Sequence, residues 1–363
     1  MGFEFWILSN IQNSTPNAQN YIDPLPRGHC HVVTSSAPSE TPIIPLSEAL
    51  KQTARVTVLG SGAWGTALAR LALTNGNQVQ IWSRRGPSDL ATAVADADIV
   101  VSAISMKGVA ALANQLQTAQ LKPATILVTA TKGLDPETTR TPSKIFSDTF
   151  PENPIVVLSG PNLSKEIEAG LPAATVVAST DVEALTRVQQ VYSSEIFRIY
   201  TSPDPVGAEL GGTLKNVVAI AVGVCDGLKL GSNAKAALIT RAIPEMLRVG
   251  VHMGAQVETF YGLSGLGDLL ATCDGTLSRN YRVGYGLAQG KKLDQILDEL
   301  GSTAEGVNTT HVLIDMANRD GIPVPIARQV HRLLRGVVTP QEAVGGLMER
   351  ELKPEACDLM AKN

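Results

Sequence analysis

The chain has 363 residues, a formal charge of −4, 44% hydrophobic residues and 18% charged ones. That is enough chain for two separate cores. The mild acidity excludes a broad nucleic-acid surface, which needs clustered Lys and Arg, but not a small anionic ligand held by a few cations.

Residues 1–52 are rich in Asn, Ser, Pro and Thr and show no sustained periodicity, so a disordered N-terminal extension is expected. Phe3 to Leu8 is apolar but lacks the basic flank and cleavage site of a secretory signal. The Ser-rich, acid-poor tail leaves an organellar transit peptide open. Cys30, Cys225, Cys273 and Cys357 have neither C-x-x-C nor metal-ligand spacing, so no metal site is expected and a reducing, cytoplasmic setting fits. No transmembrane segment is expected, since the apolar run Val217 to Val224 is short and Asp226 closes it.

From residue 55 the pattern sharpens. Val56 to Leu59 reads as a buried strand, Thr66 to Leu73 as a helix ended by Asn75-Gly76, and Val79 to Trp82 as a second strand. Further short β-rich runs follow at Ile99–Ala103, Thr125–Ala130, Ile155–Leu158, Ala174–Ala178 and Phe197–Tyr200. Near-continuous apolar strands alternating with helices predict a parallel sheet covered on both faces. After Pro203 and Pro205 the texture becomes helical, with helices expected over Glu209–Val224, Ala234–Val249, Leu269–Cys273, Asn280–Ala288, Leu293–Leu300, Thr309–Arg319 and Ile326–Leu334. The fold expected is therefore α/β, a Rossmann-like doubly wound domain over 53–205 followed by an all-helical domain over 206–363.

Between the first strand and helix stands Gly60-Ser-Gly62-Ala63-Trp64-Gly65. The first glycine permits the tight turn, the second lets backbone approach a pyrophosphate, and the third lets the helix pack on the sheet. The helix N-terminus then offers free N–H groups to the anion. An NAD-preferring site would place an acid about 20 residues further on. Here the chain reads Trp82-Ser83-Arg84-Arg85, and the cations point to NADPH, with Arg84 on the 2′-phosphate; two solvated loop arginines are the alternative.

Ligands of such sheets bind beyond the carboxyl ends of the strands, where Lys132-Gly133 and Gly160-Pro161-Asn162 fall. Lys132 could reach a phosphate or substrate oxygen there, or be an ordinary solvated lysine. In the helical half, Lys215 shares a helix face with Gly211, Gly212, Val218 and Ala219. A lysine on such a face needs a partner, and desolvation lowers its pKa toward acid/base use. The two glycines, each costing about 1 kcal/mol relative to Ala, are accounted for if a ligand must approach closely. Asp268, set among glycines and aliphatics, is the candidate partner, or else a helix N-cap. Ser278-Arg279-Asn280 at a helix start could hold a phosphate dianion, or be simple capping beside a surface arginine.

These residues together resemble the bacterial-type NAD(P)-dependent glycerol-3-phosphate dehydrogenases. The resemblance runs from Val56 to Glu351 and is carried by Gly60–Gly65, Thr131-Lys-Gly133, Ser159-Gly-Pro161, Leu214-Lys-Asn216, Gly265-Leu-Gly-Asp-Leu269, Ser278–Asn280 and Glu305-Gly306. It implies a homodimer that interconverts dihydroxyacetone phosphate and sn-glycerol 3-phosphate by hydride transfer with NADP or NAD, feeding phospholipid synthesis. It also implies acid/base work by Lys215 held by Asp268, and substrate contacts from Lys132, Gly160, Asn162, Lys215, Asp268, Ser278, Arg279 and Asn280. Cofactor contacts are implied for Gly60, Gly62, Ala63, Trp64, Gly65, Arg84, Lys132, Ser164, Arg279 and Glu305. The chain departs from the family pattern at Asn162, usually Ser or Thr, at Ser164, usually Ala, and in the short segment between Arg85 and Ile99. A hydroxy-acid dehydrogenase of related build and a non-catalytic dinucleotide sensor are the rival readings.

Overall fold

In the computed structural model, which describes residues 53–355 apart from Thr276, Ser302 and Lys353, each apolar run predicted as a strand is one. The predicted N-terminal extension, Cys30 and Cys357 lie outside the described residues. The order is β1 (Arg55–Leu59), α1 (Ala63–Thr74), β2 (Gln78–Trp82), α2 (Leu90–Val94), β3 (Ile99–Ser102), α3 (Val109–Thr118), β4 (Ile126–Thr129) and α4 (Pro142–Thr149). Then come β5 (Ile155–Ser159), α5 (Ser164–Glu168), β6 (Ala173–Ala178), α6 (Val182–Tyr192) and β7 (Phe197–Ser202).

The strands form one sheet in the order β2-β1-β3-β4-β5-β6-β7. Alternation along each strand divides the core in two. Val56, Val58, Ile99, Val101, Ile126 and Val128 pack with residues of α1 and α6, whereas Leu59, Val100 and Leu127 pack with Val109, Leu112 and Phe146 on the other face. The chain leaves β1 toward β2 and returns to β3 on the other side, so the crevice for a ligand opens at the carboxyl ends of β1 and β3.

The sheet departs from the expected all-parallel arrangement at one seam. β6 pairs antiparallel with β5, while β6 and β7 are parallel to each other. The link from Gly160 to Pro172 holds only the five-residue helix α5. A parallel return usually carries a full crossover helix along the sheet face; this link carries only that short one, and the chain reverses.

The helical half is α7 (Pro205–Gly227), α8 (Ser232–His252), α9 (Asp268–Cys273), α10 (Arg279–Ala288), α11 (Leu293–Leu300), α12 (Glu305–Asp320), α13 (Pro325–Leu334) and α14 (Pro340–Met348). Helix α7 begins where the sequence texture changes: Pro205 occupies its first turn and Asp204 caps it, accepting from the Gly207 N–H at 2.8 Å. By length and composition α7 could cross a membrane, but its most apolar window is wholly buried inside the protein. It is the central core helix, with Leu210, Leu214, Val217 and Ile220 meeting Met246, Leu269, Val283 and Leu313 of its neighbours. The helix α14 and the π-turn Leu263–Gly267 went unpredicted.

Candidate active site

The loops after β1, β2, β4 and β5, helix α7 and the starts of α5, α9, α10 and α12 supply the groups that the sequence singled out. Loop β1–α1 carries the glycine run. Gly60 has φ +122°, and a Cβ there would lie 2.6 Å from the Ala103 carbonyl oxygen at the end of β3. A Cβ on Gly65 would lie 2.0 Å from the Gly60 carbonyl oxygen, so α1 can sit against the turn only without a side chain. Gly62 differs: a Cβ there meets nothing of the protein within 4 Å. Its backbone, just before α1, therefore faces open space with the first N–H groups of the helix beside it. These residues fit a dinucleotide pyrophosphate, with Ala63 and Trp64 forming the first turn of α1 and Trp64 leaning on the sheet core. Arg84 is exposed in the turn just beyond β2, the place for a ribose 2′-substituent.

The second group lies where the two halves of the chain meet. Lys132, just past β4, donates from Nζ to Asp268 Oδ2 at 2.5 Å and to the Gly160 carbonyl at 3.3 Å. Lys215 Nζ donates to the other carboxylate oxygen of Asp268 and to the Thr272 hydroxyl. The Lys215 and Asp268 side chains are 7% and 2% exposed, that of Lys132 21%. Two ammonium groups around one carboxylate leave a net positive charge in a nearly closed place, which is complementary to an anion. Burial is the main force pulling the Lys215 pKa down, to about 8; Lys132 adds to it and Asp268 opposes it. The amine is thereby brought near the range where it can both hold and release a proton at neutral pH.

Asp268 opens α9 directly after the π-turn and is buried at its first position. It is not the N-cap that its position before Leu269 also allowed, since Gly267 precedes the helix. Thr272, four residues on, places its hydroxyl on the same helix face. That spacing was the signal by which Thr272 could have been found, and it was missed.

The glycines of α7 have another cause than the expected one. A Cβ on Gly211 would lie 2.6 Å from the Ser264 carbonyl oxygen of the π-turn, and one on Gly212 2.5 Å from Ser159 Oγ and 3.2 Å from Lys132 Cε. The close approach is made by the protein itself, not by a ligand. It is what lets Lys132 and Lys215 reach one carboxylate.

The third group stands at the start of α10. Ser278 caps the helix, accepting from the Tyr281 N–H at 3.2 Å. Asn280 is buried, and its Oδ1 accepts from the Gly306 N–H at 2.9 Å, tying α10 to the start of α12. Glu305 begins α12. Burial raises its pKa against the pull of the Arg279 guanidinium, the Met106 N–H and Thr303. The Glu305 carboxyl thus feels both the cation at the start of α10 and the loop after β3. Asn162 donates from Nδ2 to Thr175 Oγ1 at 2.9 Å, while its buried Oδ1 is left without a protein partner. Ser164, half-buried at the first position of α5, stands outside the hydrogen-bonded lysine–carboxylate group. Among the described residues no cluster of His, Cys, Asp and Glu suits a metal ion.

A doubly wound sheet with a glycine cradle at its switch point, facing a buried lysine–carboxylate pair from a helical second half, defines a dinucleotide-dependent oxidoreductase. The comparisons with known proteins narrow this. The family model for the N-terminus of NAD-dependent glycerol-3-phosphate dehydrogenase matches residues 55–87 and 85–185, and that for its C-terminus matches 204–345. The chain is 67% identical over 308 residues to the NAD(P)+ glycerol-3-phosphate dehydrogenase of Acaryochloris marina, covering 85% of this chain and 99% of that one. It is 63% identical over 301 residues to the enzyme of the same name from Synechocystis, covering 83% and 95%. The solved glycerol-3-phosphate dehydrogenase of Coxiella burnetii superposes with a TM-score of 0.79 at 32% identity, over 82% of this chain and 99% of that one. The chain belongs to the NAD-dependent glycerol-3-phosphate dehydrogenase family.

Proposed function

We propose that the protein interconverts dihydroxyacetone phosphate and sn-glycerol 3-phosphate, using NADPH or NADH, and so supplies the glycerol phosphate backbone of phospholipids. The observation that carries this is the Asp268 carboxylate shared by Lys132 and Lys215, a surplus positive charge at the open end of a dinucleotide fold. Gly60, Gly62 and Gly65 with the start of α1 would hold the pyrophosphate of the dinucleotide, whose nicotinamide would supply or accept the hydride at carbon 2 of the substrate.

Every other part of the chemistry belongs to the chain. Arg279, with the free N–H groups of the α10 start, anchors the phosphate, and anchoring orients carbon 2. Lys215 holds a proton toward the oxygen on carbon 2, stabilises the alkoxide as it forms and then protonates it. Asp268 keeps the ammonium in place, and Lys132 adds a second positive charge. Asn162, in the same loop as Gly160 and held by Thr175, adds a substrate contact. The reverse reaction uses the neutral Lys215 amine as base.

The unit at work is a dinucleotide domain over 53–205 with a substrate domain over 206–363, assembled as a homodimer in the cytoplasm. The buried free thiols of Cys225 and Cys273 agree with a reducing setting.

The test is steady-state oxidation of NADPH and NADH by purified protein, with and without dihydroxyacetone phosphate. Turnover that depends on the ketone phosphate is expected, together with its loss in Lys215→Ala while NADPH still binds. Cofactor binding without turnover of this substrate would sink the reading.

A further inference from the structure

Glu209 is named in none of the roles above, yet it is a carboxyl only 2% exposed, on the same helix as Lys215. Its oxygens are filled by a segment of the α/β half. Oε1 accepts from the Ser143 N–H at 2.9 Å, Oε2 from the Ser143 hydroxyl, and Thr141 adds a side-chain hydrogen bond. These residues form the start of α4, whose N-terminal N–H groups favour a carboxylate. One turn along α7, Thr213 Oγ1 accepts from the Gly133 N–H at 3.0 Å. Leu134, 1% exposed, packs in the core of the helical half.

The segment pinned at both ends is the connection from β4 to α4, and Lys132 lies in it. Between the pins the connection is knitted to itself. The Asp135 N–H donates to the Arg140 carbonyl at 2.9 Å, and the Thr138 N–H donates to Asp135 Oδ2 at 2.9 Å. A hold on 141–143 is therefore carried across the Asp135–Arg140 link to 133–134, next to the Lys132 ammonium. A lysine side chain loses rotamer entropy when its ammonium is held in one place, and a fixed backbone reduces what must be ordered besides. From the geometry we infer that Glu209 is a positioning residue for Lys132: it clamps the β4–α4 connection to α7 so that Lys132 and Lys215, from opposite halves, meet one carboxylate. The inference rests on the role given to Lys132 under the proposed function.

A double-mutant cycle separates positioning from general support. Glu209→Ala, Lys132→Ala and the double variant are assayed for kcat and for KM toward dihydroxyacetone phosphate, with NADPH affinity by fluorescence and melting temperature alongside. Glu209→Ala is expected to lower kcat/KM by about tenfold or more with NADPH affinity within about twofold, and to have almost no effect in the Lys132→Ala background. Glu209→Gln, which keeps an acceptor for the Ser143 N–H and a group that can hydrogen-bond the hydroxyl, should recover most of the loss. An undiminished Glu209→Ala effect in the Lys132→Ala background overturns the inference. Should Glu209→Ala not fold, Ser143→Ala removes one hydroxyl only, and the same non-additivity is expected at about threefold; additivity there overturns it equally. Hydrogen exchange gives an answer without turnover. Faster exchange of the Gly133 amide in Glu209→Ala, with the β1–α1 amides unchanged, supports the clamp, and unchanged exchange refutes it. A wild-type protein inert toward the ketone phosphate would refute the proposed function, while the exchange result still decides the clamp.

Discussion

The Asp268 carboxylate is shared by two lysines, accepting from Lys132 Nζ on Oδ2 and from Lys215 Nζ on Oδ1. One lysine comes from the end of a strand and the other from the central helix, so the carboxylate joins the two halves of the site. Removing it leaves two ammonium groups facing each other with little water, an arrangement costing about 3–5 kcal/mol when the charges persist. The cheaper outcome is that one lysine loses its proton. Burial and Lys132 both pull the Lys215 pKa down and only Asp268 among the major influences lifts it, so Lys215 is the one to neutralise. Asp268→Asn is therefore expected to lower kcat for ketone reduction by about 10²–10⁴-fold at neutral pH. Reduction rates within about threefold of wild type would contradict the shared-carboxylate role.

The same balance sets a pH dependence. Lys215, brought down to about 8 chiefly by burial, carries the proton below that value and lacks it above. Reduction of the ketone needs the proton and should be flat on the acid side, falling as pH rises through about 8. Oxidation of the alcohol needs the free amine and should rise over the same range. Lys132→Ala removes an influence that lowers the Lys215 pKa, so the limb should move to higher pH. Profiles of kcat in both directions, for both proteins, check this. A limb that moves to lower pH in the variant would mean that another group titrates.

Much of this was legible in the sequence because it is local. Gly60, Gly62 and Gly65 announce their turn by spacing, and the strands from Val56 to Thr129 by short apolar runs between turn residues. Lys215 and Asp268 stood out as charges on small, apolar surfaces. What stayed hidden depends on contacts between distant segments. Lys132 is 136 residues from Asp268, and a lysine after a strand looks the same whether solvated or paired. Gly211 and Gly212 signalled a close approach but not what approaches. The reversal at β6 follows a link whose helix is too short to show in periodicity.

The glycine cradle offers two substitutions with opposite consequences. Gly65→Ala puts a methyl 2.0 Å from the Gly60 carbonyl oxygen, which forces α1 off the sheet. Lost stability and lost cofactor binding are expected together. Gly62 has φ −76° and ψ 170°, open to any residue, and its Cβ meets no protein atom within 4 Å. Gly62→Ala should then melt within about 2 °C of wild type and still bind NADPH about tenfold or more weaker, because the methyl stands where the pyrophosphate approaches. Calorimetry and a fluorescence titration measure both. Unchanged NADPH affinity in Gly62→Ala would place the dinucleotide elsewhere.

Arg84 bears on the choice of nicotinamide. It is exposed just beyond β2, where an acid would hold the ribose hydroxyls and a cation a 2′-phosphate. Arg84→Ala is expected to lower kcat/KM for NADPH by about tenfold, the scale of a charge-assisted contact of roughly 1.5 kcal/mol, and to leave NADH nearly unaffected. An equal loss with both cofactors would mean that Arg84 does not read the 2′-position.

A last expectation concerns stability away from the site. Glu245 in α8 is buried and accepts from the Ile326 and Ala327 N–H groups at 2.8 Å each, closing the start of α13. Burial nonetheless pushes its pKa up to about 7, the hydrogen bonds opposing. A carboxyl raised in the folded state is protonated there while the unfolded chain has already ionised. Its contribution is complete below the ordinary value of 4.5 and is lost as pH rises through about 7. His311 and His331, lowered chiefly by burial, act in the opposite sense below 6.5, so the wild-type curve alone does not isolate Glu245. The difference from Glu245→Gln does. Gln offers one acceptor to two donors, a pH-independent loss of about 1–3 kcal/mol. On top of it, the stability gap between wild type and variant should narrow by about 2 kcal/mol between roughly pH 5 and pH 8. Urea unfolding at several pH values measures the gap, and a gap that stays constant or widens would show that Glu245 is ionised throughout.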